Sequence, residues 1–196
     1  MTILVVGTGN PGKLKEMQEY LIHTDWQLQL KPKEIDVEET GTTFLENACL
    51  KASQTAIATG QWSIADDSGL SIDALDGAPG IYSARYADTD AKRIERVLQE
   101  LADKPNRGAQ FVCAIAVARP DGKIMIQEEG ICRGEILKSL QGQGGFGYDP
   151  IFYVPPEQQT FAAMSAATKH RISHRGCAFA LVLPQLQNLH KQIGIA

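Results

Sequence analysis

The sequence predicts an α/β fold in which helices flank a mixed sheet. Three patterns carry that expectation. A continuous apolar run at residues 2–6 passes through glycines into a helix signal at Asn10-Pro11, and unbroken apolar runs suit strands covered on both faces. Strand-like and helix-like segments then intermix along the chain. Residues 109–119 and 123–130 flank Pro120-Asp121-Gly122, a hairpin signal that adds an antiparallel pair.

Each element has its own local reason. Asn10 can cap a helix and Pro11 suits the first helical position. Leu14, Met17 and Leu21 follow at helical spacing, predicting a helix from 11 to about 22. A second strand is expected within 27–31, followed by an acidic irregular segment over 34–41. Thr43-Phe44-Leu45-Glu46 reads as a capping box, opening a helix to about Thr59 with Gly60 as its stop. Residues 62–65 read as a short strand leading into Asp66-Asp67-Ser68-Gly69, and 76–80 as a loop. Ile94, Val97, Leu98 and Leu101 mark a helix over 90–102. Residues 141–147 are too rich in glycine for regular structure, and Ser173 can cap a last helix through Leu183 that Pro184 ends or kinks.

Composition sets limits. The 196 residues are 43% hydrophobic and 21% charged, which fits one domain over 1–196 with an ordinary core and no need of a disulfide staple. A net charge of −4 argues against a non-specific nucleic-acid binder, which needs a basic face. No apolar run approaches a membrane span. Cys49, Cys113, Cys132 and Cys177 are scattered without a Cys-x-x-Cys, the pattern of buried thiols in a reducing cytoplasm.

The first informative loop is Gly7-Thr8-Gly9-Asn10-Pro11-Gly12-Lys13-Leu14. It fits both G-x-G-x-x-G and G-x-x-x-x-G-K. A P-loop needs Ser or Thr where Leu14 stands, and a dinucleotide site needs an acid ending the second strand, where Lys31-Pro32-Lys33 intervenes. The physics common to both is anion binding at a helix N-terminus, with Lys13 adding charge. The bland alternative is a tight turn with a solvated lysine.

Asp66-Asp67-Ser68-Gly69 sits at a strand end. Adjacent carboxylates repel, and a divalent cation relieves that repulsion; an Asx-type turn is the competing explanation. Glu38-Glu39 can supply another carboxylate or a solvated acidic loop. Glu46 is explained by its capping box. Lys51 can face the same ligand or solvent. Phe146 and Tyr148, in Gly144-Gly145-Phe146-Gly147-Tyr148-Asp149-Pro150, offer faces that stack on a base or pack into a core. Lys169, His170, Arg171, His174 and Arg175 form the densest basic stretch, and cations at a helix start oppose the helix dipole, which suits ligand contacts.

Taken in order, Thr8-Gly9-Asn10-x-x-Lys13, Glu39-Thr40-Gly41-x-Thr43-Phe44-x-Glu46-Asn47-Ala48-x-x-Lys51-Ala52, Asp66-Asp67-Ser68-Gly69-Leu70, Gly77-Ala78-Pro79-Gly80-x-x-Ser83-Ala84-Arg85-Tyr86, the glycine-aromatic loop and Ser173-His174-Arg175-Gly176 resemble the inosine triphosphate pyrophosphatase family. The resemblance implies an elongated mixed sheet flanked by helices, two lobes with a central active-site cleft, and a homodimer. It implies Mg²⁺-dependent hydrolysis of ITP, dITP and XTP to the monophosphate and pyrophosphate. By the same resemblance Thr8, Gly9, Asn10, Pro11, Gly12 and Lys13 hold phosphates with Lys51. Glu39 and Asp67 bind metal, with Asp66 a further candidate, and Asp67 is also the catalytic base. Ser68, Phe146, Gly147, Tyr148, Asp149, Lys169, His174 and Arg175 contact the nucleotide. Arg85 and Tyr86 are expected at the cleft rim or at the subunit contact. The rival readings are a P-loop-like NTPase or kinase, a nicotinamide-binding oxidoreductase, and a nucleotide sensor without turnover.

Overall fold

The computed structural model describes residues 2–195, the side chains of Pro11 and Ile195 excepted. Seven strands form one open sheet in the order β2-β1-β3-β4-β5-β6-β7. They are β1 (Thr2–Val6), β2 (Trp26–Leu30), β3 (Trp62–Ile72), β4 (Gly108–Ala118), β5 (Ile124–Ile136), β6 (Phe152–Val154) and β7 (Gln159–Thr160). The helices are α1 (Pro11–Leu21), α2 (Phe44–Thr59), α3 (Asp90–Glu100), α4 (Ala166–Ile172) and α5 (His174–Ile195). β1 pairs in parallel with β2 and β3, while β6 pairs antiparallel with β5 and β7, so the sheet is mixed. β3 and β4 are buried along nearly their whole length, as expected of strands covered on both faces. β5 alternates buried and exposed residues, with one face toward solvent.

The chain divides into two compact units. The first holds residues up to Asp67, Cys113–Gly130, and residues from Cys177 onward. Its core joins Leu4 and Val6 of β1, Met17 and Leu21 of α1, Ile115 of β4 and Phe179 and Val182 of α5. The second holds Ser68–Val112 and Ile131–Gly176. Its core joins Leu70 and Ile72 of β3, Ile94 and Val97 of α3, and Phe111, Phe152 and Phe161. Each such side chain contributes about 1.5–3 kcal/mol by leaving water.

Several local expectations hold. Asn10 caps α1, Thr43 and Glu46 close a reciprocal capping box on α2, and Gly60 ends α2 in the left-handed conformation. Others need correction. The segment Asp66-Asp67-Ser68-Gly69 is not a turn, because β3 runs straight through it to Ile72. Pro184 does not end α5. Pro184 and Ala180, whose carbonyl loses its helical partner, both lie on the exposed side, while Val182, Leu186 and Leu189 keep the opposite face buried. β5 extends to Ile136, and α4, β6 and β7 were not anticipated.

Candidate active site

In the first unit, the loop after β1 is tied down at its start. The Gly7 N–H donates to the Ile64 carbonyl of β3 at 2.8 Å. Asn10 Oδ1 then accepts from the N–H groups of Gly12 (2.9 Å) and Lys13 (3.2 Å), and the Thr8 hydroxyl oxygen accepts from the Asn10 N–H. Asn10 therefore engages two of the helix N-terminal donors that the sequence offered to an anion. Gly9 and Asn10 are exposed, Thr8 and Gly12 partly so, and Pro11 takes the first helical position. Lys13 reaches from the first turn of α1 to Asp66, Nζ to Oδ2 3.2 Å, where the carboxylate is fully buried.

Extended backbone sends successive side chains to opposite faces, and the two aspartates have different partners accordingly. Asp66 meets Lys13 and, at 4.0 Å, the Cys113 thiol of β4. Asp67 meets α2: Lys51 Nζ lies 3.1 Å from Oδ1, and Asn47 Nδ2 lies 3.3 Å from Oδ2. The same Lys51 ammonium lies 2.7 Å from Glu39 Oε1. Lys51 faces these carboxylates, not solvent.

Burial pushes the Asp67 carboxyl above its ordinary value; Lys51 and Lys13 oppose the rise and Glu39 adds to it. Burial works against the Lys51 ammonium, but Asp67, Asp66 and Glu39 outweigh it and hold its pKa above the usual lysine value. Five charged groups thus act on one another: Lys13, Lys51, Glu39, Asp66 and Asp67. Glu46 stands apart from them. Its carboxylate accepts from the Thr42 N–H and hydroxyl and the Thr43 N–H, and those bonds, Thr42's first, hold its pKa low. Among the described residues, no three His, Cys, Asp or Glu side chains form a group able to hold a metal by themselves.

The second unit gathers the remaining predicted residues. Asp149 Oδ2 accepts from the Phe146 N–H (2.9 Å) and from Lys169 Nζ (2.7 Å), closing the glycine-aromatic loop on itself. Gly145 must be glycine: its φ is +71°, and a Cβ there would lie 1.9 Å from Asp149 Oδ2. The Gly147 N–H donates to Asp90 at the start of α3 (2.8 Å). Tyr148 is buried, with its hydroxyl donating to the Ser83 carbonyl at 2.9 Å, whereas Phe146 is only partly buried, with Lys169 Nζ 5.0 Å from its ring centre. Ser173 caps α5 by accepting from the Gly176 N–H. His174 is buried and its ring stacks on Phe111, with centroids 4.7 Å apart and planes within 14° of parallel. Arg175 is 1% exposed and donates to the Ser68 hydroxyl at 3.0 Å.

Sequence reasoning gave no role to two supporting groups, Asn47 and Phe111, and left that of a third, Tyr86, undecided. Asn47 is buried against Asp67. Phe111 fixes the His174 ring. Tyr86 anchors residues 80–86 to α3, since its hydroxyl donates to Glu100 while Arg96 lies 3.8 Å over its ring. Only Asn47 left a visible signal, an amide on the apolar side of α2.

Residues 4–185 match the Ham1 family. A dITP/XTP pyrophosphatase of Nostoc sp. is 64% identical, the alignment covering 94% of each chain. One of Synechocystis sp. is 58% identical over 96% of this chain and 97% of its own. Among solved structures, a HAM1 protein from Coxiella burnetii superposes with a TM-score of 0.86 at 42% identity, covering 98% of this chain and all of that one (100%). The Staphylococcus aureus Ham1 protein gives 0.86 at 41% identity, over 95% of this chain and 99% of its own. These likenesses span nearly the full length and agree with one another: the chain belongs to the Ham1 family.

Proposed function

We propose that this protein hydrolyses non-standard purine nucleoside triphosphates (ITP, dITP and XTP) to the monophosphate and pyrophosphate. It is then a hydrolase of acid anhydrides that clears the nucleotide pool. The observation that carries this reading is the buried charge cluster of the first unit, where two ammoniums and three carboxylates meet on β3. The names of the Nostoc and Synechocystis relatives support the substrate class.

The cluster fits Mg²⁺. Its donors are hard carboxylate oxygens, and Mg²⁺ at nucleotide sites uses one or two carboxylates plus phosphate oxygens and waters, not a closed protein cage. Three carboxylates against two ammoniums also leave the cluster short of positive charge. Glu39 and Asp67 would hold the ion, with Asp66 the further candidate, although the partners of Asp66 suit it better to steadying Lys13. When bound, Mg²⁺ neutralises phosphate charge and makes a coordinated water more acidic.

The chain's own groups divide the remaining work. Lys13 and Lys51 bring full charges to the phosphate oxygens, with Thr8 through Gly12 presenting backbone and hydroxyl groups beside them. Asp67, its basicity raised by burial, orients the attacking water and takes its proton as the bond to the α-phosphorus forms. Pyrophosphate leaves. No covalent nucleophile is needed.

The nucleoside is assigned to Ser68, the glycine-aromatic loop, Lys169, His174 and Arg175. Phe146 offers its face to the base; Gly147, Tyr148 and Asp149 contribute through the loop they shape, and Lys169 holds that loop and adds charge. Ser68, His174 and Arg175 supply polar groups for the base. A site that donates to the 6-oxo group of hypoxanthine or xanthine confronts the 6-amino group of adenine donor to donor. Each polar group left unpaired in this way costs about 1–3 kcal/mol.

The chain is proposed to act as one domain over residues 1–196, a reading supported by β3, β4 and β5, each of which has residues in both units. It is further proposed to act as a homodimer in the cytoplasm, its four cysteines remaining thiols. No helix among the described residues is long and apolar enough to cross a membrane. The rival readings lose ground. Leu14, where a P-loop has its metal-binding hydroxyl, packs against the first core, and β2 ends in Leu30 without the acid of a dinucleotide site. A panel of ITP, XTP, dITP, GTP and ATP with Mg²⁺ tests the proposal. Equal monophosphate and pyrophosphate from the first three, with GTP and ATP poor substrates, is expected; orthophosphate, or binding without turnover, contradicts it.

A further inference from the structure

Two side chains one turn apart on α2 bridge the same two places. Lys51 joins Glu39 (2.7 Å) to Asp67 Oδ1 (3.1 Å). Asn47, 0% exposed, joins the next residues of that segment to the other oxygen of Asp67: its Oδ1 accepts from the Gly41 N–H at 2.8 Å and its Nδ2 donates to Asp67 Oδ2 at 3.3 Å. The Gly41 N–H can only face an acceptor, so the Asn47 amide cannot turn over and its NH₂ must face Asp67. Gly41 itself makes the approach possible, because a Cβ there would lie 2.7 Å from Asn47 Oδ1 and from Glu46 Cβ.

We infer that Asn47 is a positioning residue: it fixes the Asp67 carboxylate so that Oδ1 faces Lys51, which also holds Glu39, and it fixes the 39–41 segment that carries Glu39. It touches no substrate atom; it sets the mutual geometry of the two carboxylates assigned to the metal and the water. The inference rests on the role proposed for Asp67.

Two variants test it. Asn47→Asp keeps the shape and the acceptor for Gly41 but sets a carboxylate against Asp67. Asn47→Leu keeps the volume and removes both bonds. The native enzyme and Asp67→Asn are measured alongside, with melting temperature, kcat and KM for dITP, and Mn²⁺ binding by electron paramagnetic resonance. Both Asn47 variants, still folded at the assay temperature, should lose about 100-fold in kcat, the loss expected of a small misplacement, with KM little changed. Asn47→Leu should bind Mn²⁺ about tenfold more weakly, as removal of an outer-shell partner does. Native kcat and native Mn²⁺ affinity in folded variants overturn the inference, as does a rate loss that only tracks a lost folded fraction. If Asp67→Asn also keeps full activity, the fault lies in the role given to Asp67 and not in Asn47.

Discussion

Asp66 and Asp67 are neighbours in sequence with different partners, and the partners decide what each can do. Asp66 is closed off by Lys13 and Cys113, whereas Asp67 lies between Asn47 and Lys51, near Glu39. Asp67→Asn keeps the shape and removes the proposed base, so turnover should fall by about 10²–10⁴-fold while circular dichroism stays native. Lys13→Ala should weaken substrate binding and also lower the melting temperature, because the buried Asp66 loses its cation; breaking a buried pair costs about 3–5 kcal/mol. Unchanged KM and stability would reduce Lys13 to a surface lysine. Phe146 is only partly buried, so Phe146→Ala should raise KM with little change in melting; a stability loss alone would make it a core residue. The residue types of the site were legible because charges, glycines and aromatics recur in a recognisable order. Their pairings were not, since which lysine answers which aspartate depends on how helices pack on the sheet.

At the scale of elements, short-range chemistry was legible where one local signal dominated. The caps of α1 and α2 and the left-handed end at Gly60 are local hydrogen-bond motifs and read directly. β3 was misjudged because Asp-Asp-Ser-Gly favours a turn in isolation, and only the buried cations make it tolerable in a central strand. β6 and β7 were missed because they are three and two residues long. The Tyr86 anchor makes a prediction about α3. Burial, then the bond to Glu100, pushes its phenol from 10.0 up to about 12. A value raised in the folded state means that this stabilisation is complete below about pH 10 and fades toward about pH 12. Tyr86→Phe should lose about 1 kcal/mol at neutral pH and show a smaller further loss across that alkaline window, as read by urea denaturation. An identical alkaline profile would mean that folding does not raise the Tyr86 phenol's pKa.

For the whole molecule, the α/β class and the mixed sheet followed from alternation and one hairpin, but the strand order β2-β1-β3-β4-β5-β6-β7 rests on long-range pairing that no local pattern encodes. Two cores on one sheet were likewise hidden, since apolar residues of β3 and β4 serve both without any break in the sequence. Light scattering should return twice the 21.3 kDa chain mass; a single chain mass would remove the homodimer. Chelation should abolish turnover and Mg²⁺ restore it, and full activity in chelator would contradict the carboxylate-excess argument. In the proposed reaction water attacks the α-phosphorus beside Asp67. Hydrolysis of dITP in heavy-oxygen water, with both products read by mass spectrometry, shows which phosphorus the water attacks. The label should enter only the monophosphate and leave pyrophosphate unlabelled; labelled pyrophosphate, or orthophosphate as product, would contradict it.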